Sequence, residues 1–137
     1  MKTILSKTGV RKLNREMSES RNSDVQLAFL LQDWEDAYNV GGMFRVADAC
    51  GAHEMVFSGR TPAPPNPQIG VTSLGHHRRV QWRELGRNEE AAVALKDEGY
   101  SLIAVELADG AQHYMEFSYP SRVCLVLGNE GKGVYGT

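Results

Sequence analysis

Short apolar runs of strand length, each closed off by polar or glycine-containing chain, constrain this fold more than any other feature. They are VQLAFLL (25–31), EMVFS (54–58), SLIAVEL (101–107) and RVCLVLG (122–128), with a weaker run, RVQWRE, at 79–84. Two helical patterns lie between them, one from Val40 to Cys50 and one, NEEAAVALKDEG, from Asn88 to a glycine stop at Gly99. A strand that is apolar at successive positions needs cover on both of its faces, and alternation with helices supplies that cover. The pattern predicts an α/β fold, a parallel sheet with helices on both faces. At 137 residues there is chain for one domain with one core.

Composition adds little to the fold and more to the partners. The chain is 42% hydrophobic and 23% charged with a net charge of -2, the profile of an ordinary soluble domain and not of a polycation. Charge is nevertheless uneven. Residues 1–22 hold six Lys or Arg against two acids, whereas residues 84–116 hold two against eight. This predicts a basic N-terminal arm at 1–22, an acidic flank, and a domain over 23–137. Cys50 and Cys124 sit in apolar segments without ligand or disulfide spacing, which predicts two buried thiols in a reducing compartment. No segment has the length and apolarity of a signal peptide or a membrane span, so the expected location is cytoplasmic.

Ligands of open α/β sheets sit at the carboxyl ends of the strands. Two segments of unusual composition reach that edge. In DWEDAYNVGGMFRVADACG, Asn39 is placed to cap a helix, and Gly41 and Gly42 put poor helix formers in its first turn, as if something must approach the backbone closely. Met43, Phe44, Ala47 and Cys50 make a candidate buried stripe. Arg45 and Asp48 are three apart, within pairing range. Arg45 is thus either half of a solvated ion pair or a functional cation, and its place near the helix start, where cations are unfavourable, argues for the second.

The other segment is LGNEGKG, from Leu127 to Gly133. Its glycines allow main-chain groups to face a ligand at close range, and Glu130 adds a carboxylate. It is not a Walker loop, because no Ser or Thr follows the Gly-Lys pair, and it lacks the spacing and the position of a dinucleotide fingerprint. Between the two segments runs a connection with four prolines from Pro62 to Pro67, long enough to be a lid or binding loop, which ends in His76-His77-Arg78-Arg79. Adjacent histidines form no helix-spaced chelating pair, so no metal is expected.

Taken together, Asn39-x-Gly41-x-x-x-Arg45 with Gly51 closing the helix, and Leu125 through Gly131 with Gly133 downstream, resemble the SpoU-TrmH family of RNA ribose 2'-O-methyltransferases. The resemblance runs from about Val25 to Val134. It implies an α/β knot, S-adenosylmethionine as cofactor and a homodimer with its active site near the subunit interface. It implies Leu127, Gly128, Asn129, Glu130 and Gly131 in the cofactor pocket, and Asn39 and Arg45 beside the ribose of a tRNA or rRNA. RNA contacts are expected from Arg11, Lys12, Arg15 and Arg21 of the arm, and from Arg60, Arg78 and Arg79. The family's third motif, an apolar strand and a Ser-Leu-Asn helix start, does not appear between Gly133 and Thr137. The expectation is therefore a domain shortened at its C-terminus, with half a cofactor pocket and an incomplete knot. The alternative is a noncatalytic RNA-binding or dimerisation module with the same partial fold.

Overall fold

The computed structural model describes residue 6 and residues 25–135. In chain order the elements are β1 (Gln26–Gln32), α1 (Ala37–Cys50), β2 (Glu54–Ser58), α2 (Pro67–Ser73), a 3-10 turn (His76–Arg78), β3 (Trp82–Glu84), α3 (Asn88–Asp97), β4 (Ser101–Ala104) and β5 (Arg122–Leu127). The five strands form one parallel sheet in the order β3-β2-β1-β5-β4. The expected α/β architecture is present.

Alternation along the central strands explains why their sequences read as continuous apolar runs. Phe29 and Leu31 of β1 pack with Val40, Phe44 and Ala47 of α1 and Ile69 of α2. Ala28 and Leu30 turn the other way, onto Ala91 and Leu95 of α3. Both faces are covered, and each fully buried large side chain contributes about 1.5–3 kcal/mol. Phe44 also meets Phe57 edge-on, with ring centroids 5.9 Å apart.

Several boundaries and burial expectations are corrected. α1 starts at Ala37 because Asp36, not Asn39, is its cap: the Asp36 carboxylate accepts from the amides of Tyr38 at 2.8 Å and Asn39 at 3.4 Å. Asn39 lies within the first turn. Gly51 ends the helix at φ 67°, in the left-handed region where glycine is favoured. Cys50, the last helical residue, is exposed and takes no part in the stripe, which Val40, Phe44 and Ala47 form with partly buried Met43. Cys124 is buried as expected, and desolvation pushes its thiol up to about 12. β4 stops at Ala104 and does not reach residue 107. From there Glu106 turns aside to accept the Val134 amide at 3.0 Å.

The proline-rich connection is partly helical. Asn66 caps α2 by accepting from the Gln68 amide at 3.0 Å, and Pro67 occupies the first helical position. The close approach expected at the paired glycines is made by α2 itself. A Cβ at Gly41 would collide with Thr72 and the Ile69 carbonyl, whereas Gly42 faces open space. At the amino end of the sheet, buried Glu54 accepts from Arg83 at 2.5 Å and from the Tyr100 hydroxyl at 3.1 Å, a structural polar cluster. Among the described residues no helix is long and apolar enough to cross a membrane.

Candidate active site at the strand switch point

The strand order reverses between β1 and β5. From β1 the chain moves to β2 and β3 on one side, then crosses to β4 and β5 on the other. A crevice outside the carboxyl ends of the strands is the usual result. The turn after β1, residues 33–36, and the glycine loop after β5, residues 128–133, meet there and are bonded together. Asn129 donates its Nδ2 to the Asp33 carbonyl at 2.6 Å, Trp34 donates its Nε1 to the Leu127 carbonyl at 3.1 Å, and the Glu35 amide lies 3.5 Å from Glu130 Oε2.

Asp33 anchors this junction in a left-handed conformation, φ 52°, uncommon for a residue other than glycine. Its carboxylate accepts from the Arg60 amide at 2.9 Å and from Asn88 Nδ2 at 2.8 Å, while Asn88 Oδ1 accepts from the Ser58 hydroxyl at 2.7 Å. The Arg60 amide first, then Asn88, hold the Asp33 carboxyl below its ordinary value. A lowered folded-state pKa gives stability that is present above the unfolded value, near 3.8, and lost as pH falls through the folded one. Asp33→Asn is accordingly expected to lower the melting temperature at neutral pH and to narrow its gap to wild type as pH drops below about 4. Parallel acid melts of the two proteins measure this.

The glycine loop closes on itself. Asn129 and Gly133 exchange main-chain bonds of 3.0 and 2.9 Å, and Asn129 Oδ1 accepts from the amides of Gly131 at 2.8 Å and Lys132 at 3.0 Å. These amides therefore serve the loop and do not face a ligand, contrary to the simplest reading of the glycines. The loop instead presents the exposed Glu130 side chain. Gly128 is required by the chain's own path, since a Cβ there would run into the backbone of Gly133 and Val134.

Two clefts flank this junction and share Trp34 and Glu130 as a common wall. The first is lined by Tyr38, Asn39, Gly42, Met43 and Arg45 of α1 and by Val71 and Leu74 beside it. The second lies between residues 105–108 and residues 127–133. The structure thus brings Asn39 and Arg45 next to the glycine loop. Arg45 is exposed and forms no ion pair among the described residues. Asp48, its expected partner, is taken by His76 Nδ1 at 2.5 Å and by Arg79 at 3.8 Å.

Arg60, Arg78 and Arg79 are all exposed and line neither cleft; Arg60 lies 3.9 Å from Glu35. Arg11, Lys12, Arg15 and Arg21 lie outside the described residues. His77 is bound to Ser73 Oγ at 2.5 Å, so both histidines fasten the 3-10 turn to the helices. Trp34, Asp33 and Tyr38 join the site without a motif of their own to mark them. Their signal was available, in an Asp-Trp pair set directly after a buried strand where the fold collects its ligands.

A doubly wound parallel sheet with clefts at its switch point is the architecture in which α/β proteins hold their ligands. The model of the SpoU rRNA Methylase family matches residues 26–136, and the chain belongs to that family. It is 27% identical over 119 residues to the tRNA (guanosine(18)-2'-O)-methyltransferase of Escherichia coli K12, a match covering 87% of this chain and 50% of the relative. It is 30% identical over 119 residues to the 23S rRNA (guanosine(2553)-2'-O)-methyltransferase of Bacillus subtilis strain 168, covering 86% and 47%. Its fold matches the AdoMet-bound rRNA methyltransferase of Sinorhizobium meliloti with a TM-score of 0.75 at 19% identity, over 94% of this chain and 55% of that one. The chain spans about half the length of these curated relatives.

Proposed function

We propose that this chain carries the catalytic half-sites of an S-adenosylmethionine-dependent RNA methyltransferase acting on a ribose 2'-hydroxyl of tRNA or rRNA in the cytoplasm. In this reading, residues 23–137 are the methyltransferase domain, residues 1–22 are an RNA-binding arm, and the working unit is a homodimer. The observation that carries it is the common wall of the two clefts. A methyl donor in one and an acceptor ribose in the other would meet at Trp34 and Glu130, which line both clefts.

The second cleft suits the cofactor chemically. Exposed Val105 and Leu107 offer apolar surface to an adenine, while the Glu106 and Glu130 carboxylates along the same cleft suit a cationic molecule. Leu127, Gly128, Asn129, Glu130 and Gly131 would hold it. S-adenosylmethionine supplies the electrophilic methyl group when bound. The protein's task is then alignment, which is worth much of the rate in such transfers. Asn39 and Arg45 face the acceptor. A guanidinium stays protonated, so Arg45 acts as a cation, gripping a phosphate and stabilising negative charge that develops on the ribose oxygen. A phosphate oxygen or water takes the proton.

Mass-spectrometric mapping of ribose methylation in RNA from cells with and without the gene tests this reading. Loss of one 2'-O-methyl group is expected. An unchanged map with retained RNA binding would favour the noncatalytic alternative. For the arm, neutralising Arg11, Lys12 and Arg15 is expected to weaken RNA binding and to reduce the logarithmic salt slope by about 0.7–0.9 for each lost phosphate contact. Titrations at several salt concentrations measure it, with cofactor affinity unchanged.

A further inference from the structure

We infer that the first cleft is a seat for the nucleobase of the acceptor nucleotide, with Tyr38 as its stacking surface. The inference rests on the methyltransferase reading and adds to it the way the nucleotide is held. Tyr38 is 46% exposed on α1, one turn from Gly42, and Val71 and Leu74 face the same cleft at 64% and 67% exposure. Large apolar groups left this open, around a concave site, favour a ligand with a flat apolar face. The Thr72 hydroxyl donates to the Tyr38 carbonyl at 2.6 Å, which fixes the ring's backbone against α2. Nothing lies within 4 Å of a Cβ placed on Gly42, so the floor beside the ring is clear.

The polar groups of the same cleft complete a nucleotide's needs. Arg45 forms no ion pair among the described residues, which leaves its guanidinium for a phosphate, and Asn39 offers both a donor and an acceptor; the one carboxylate of the cleft, Glu130, stands on the wall shared with the second cleft. Apolar side chains beside one cation complement a nucleotide, the base on the apolar surface and the phosphate on Arg45. It complements a second copy of this chain less well, because such an interface would bury the Arg45 guanidinium, which forms no ion pair among the described residues. Enzymes that work on one nucleotide of a folded RNA commonly unstack it into a pocket, and an aromatic ring replaces the stacking that is lost.

The test uses the 137-residue chain with guanosine 5'-monophosphate, uridine 5'-monophosphate and ribose 5-phosphate as probes. Binding is followed by saturation-transfer NMR and by the fluorescence of Trp34 in a Trp82→Phe background. Base-bearing probes are expected to bind about tenfold more tightly than ribose 5-phosphate, the range of one stacked base. Tyr38→Ala should reduce them to the level of ribose 5-phosphate, Tyr38→Phe should retain most of the affinity, and Arg45→Ala should weaken all three probes. Melting curves establish that the variants are folded.

Equal binding of ribose 5-phosphate and the nucleotides overturns the seat, as does unchanged nucleotide affinity in Tyr38→Ala. If Tyr38→Ala instead dissociates a dimer in sedimentation while nucleotide affinity holds, the occupant is a second copy and the seat is overturned. Nucleotide binding as expected beside an unchanged methylation map supports the seat and removes the methyltransferase reading. The reverse pair of results removes the seat and leaves that reading intact.

Discussion

Replacing Arg45 with alanine, in a protein that carries the family's third motif as well, is expected to slow methyl transfer to RNA by about 100- to 1,000-fold, the usual cost of deleting one donor that stabilises developing oxyanion charge. The fold should barely respond. Arg45 is exposed, and Asp48, the one neighbour in its own helix that could pair with it, is already held by His76 and Arg79. Surface substitutions of this kind usually stay within about 0.5 kcal/mol. The free guanidinium therefore separates the two roles left open for Arg45 by its spacing from Asp48. An ion-pair role predicts a small loss of stability and near-normal transfer. A catalytic role predicts wild-type melting and almost no transfer. Arg45→Lys keeps the charge but loses the planar fork, so it should restore little if a phosphate is held by two parallel bonds. Single-turnover transfer at saturating S-adenosylmethionine, measured beside thermal melts, gives both quantities.

Gly128→Ala should be the most damaging change of a single methyl group in the glycine loop. The added carbon would meet main-chain atoms of Gly133 and Val134, which cannot swing aside as the end of a side chain could. Overpacking of this kind costs about 1–3 kcal/mol. The relaxation that relieves it must disturb the paired bonds between Asn129 and Gly133, and with them the Asn129 bond to Asp33. Hydrogen exchange at the Gly133 amide is expected to accelerate, the melting temperature to fall, and cofactor affinity to drop with them. Gly131→Ala is the matched control. Its added carbon would find nothing nearer than Asn129 Oδ1 at 3.6 Å, so near-wild-type melting is expected. Equal tolerance at both positions would mean that the loop is not held closed by its own backbone.

The unevenness of these effects follows from what could be read along the chain. Buried parallel strands were legible because a residue enclosed on both faces must be apolar whatever its neighbours are, and EMVFS was bounded to the residue. The last helix start was legible for a similar local reason, with Asn88 at its head and two acids, Glu89 and Glu90, in its first turn. Arg45, Asn39 and the glycine loop stood out by composition against those elements. Which residue capped α1 was not settled locally, because Asp36 and Asn39 are both good caps and the choice depends on where the chain leaves β1.

By itself, then, the sequence determined the fold class, the covering of both sheet faces, the family, and the two segments that reach the carboxyl edge, since each depends on residue type and spacing along one stretch of chain. Tertiary structure alone decided how those segments meet. It spent Asp48 on His76 and Arg79 and so left Arg45 free, used Gly41 for helix packing and Gly42 for open cleft, and turned the loop amides inward onto Asn129. It also made Trp34 and Glu130 the shared lining of two clefts built from residues up to 99 positions apart. Such pairings are competitions among partners distant in sequence. A hydrogen bond or an ion pair goes to whichever group the fold brings within reach, and only the assembled sheet sets that distance.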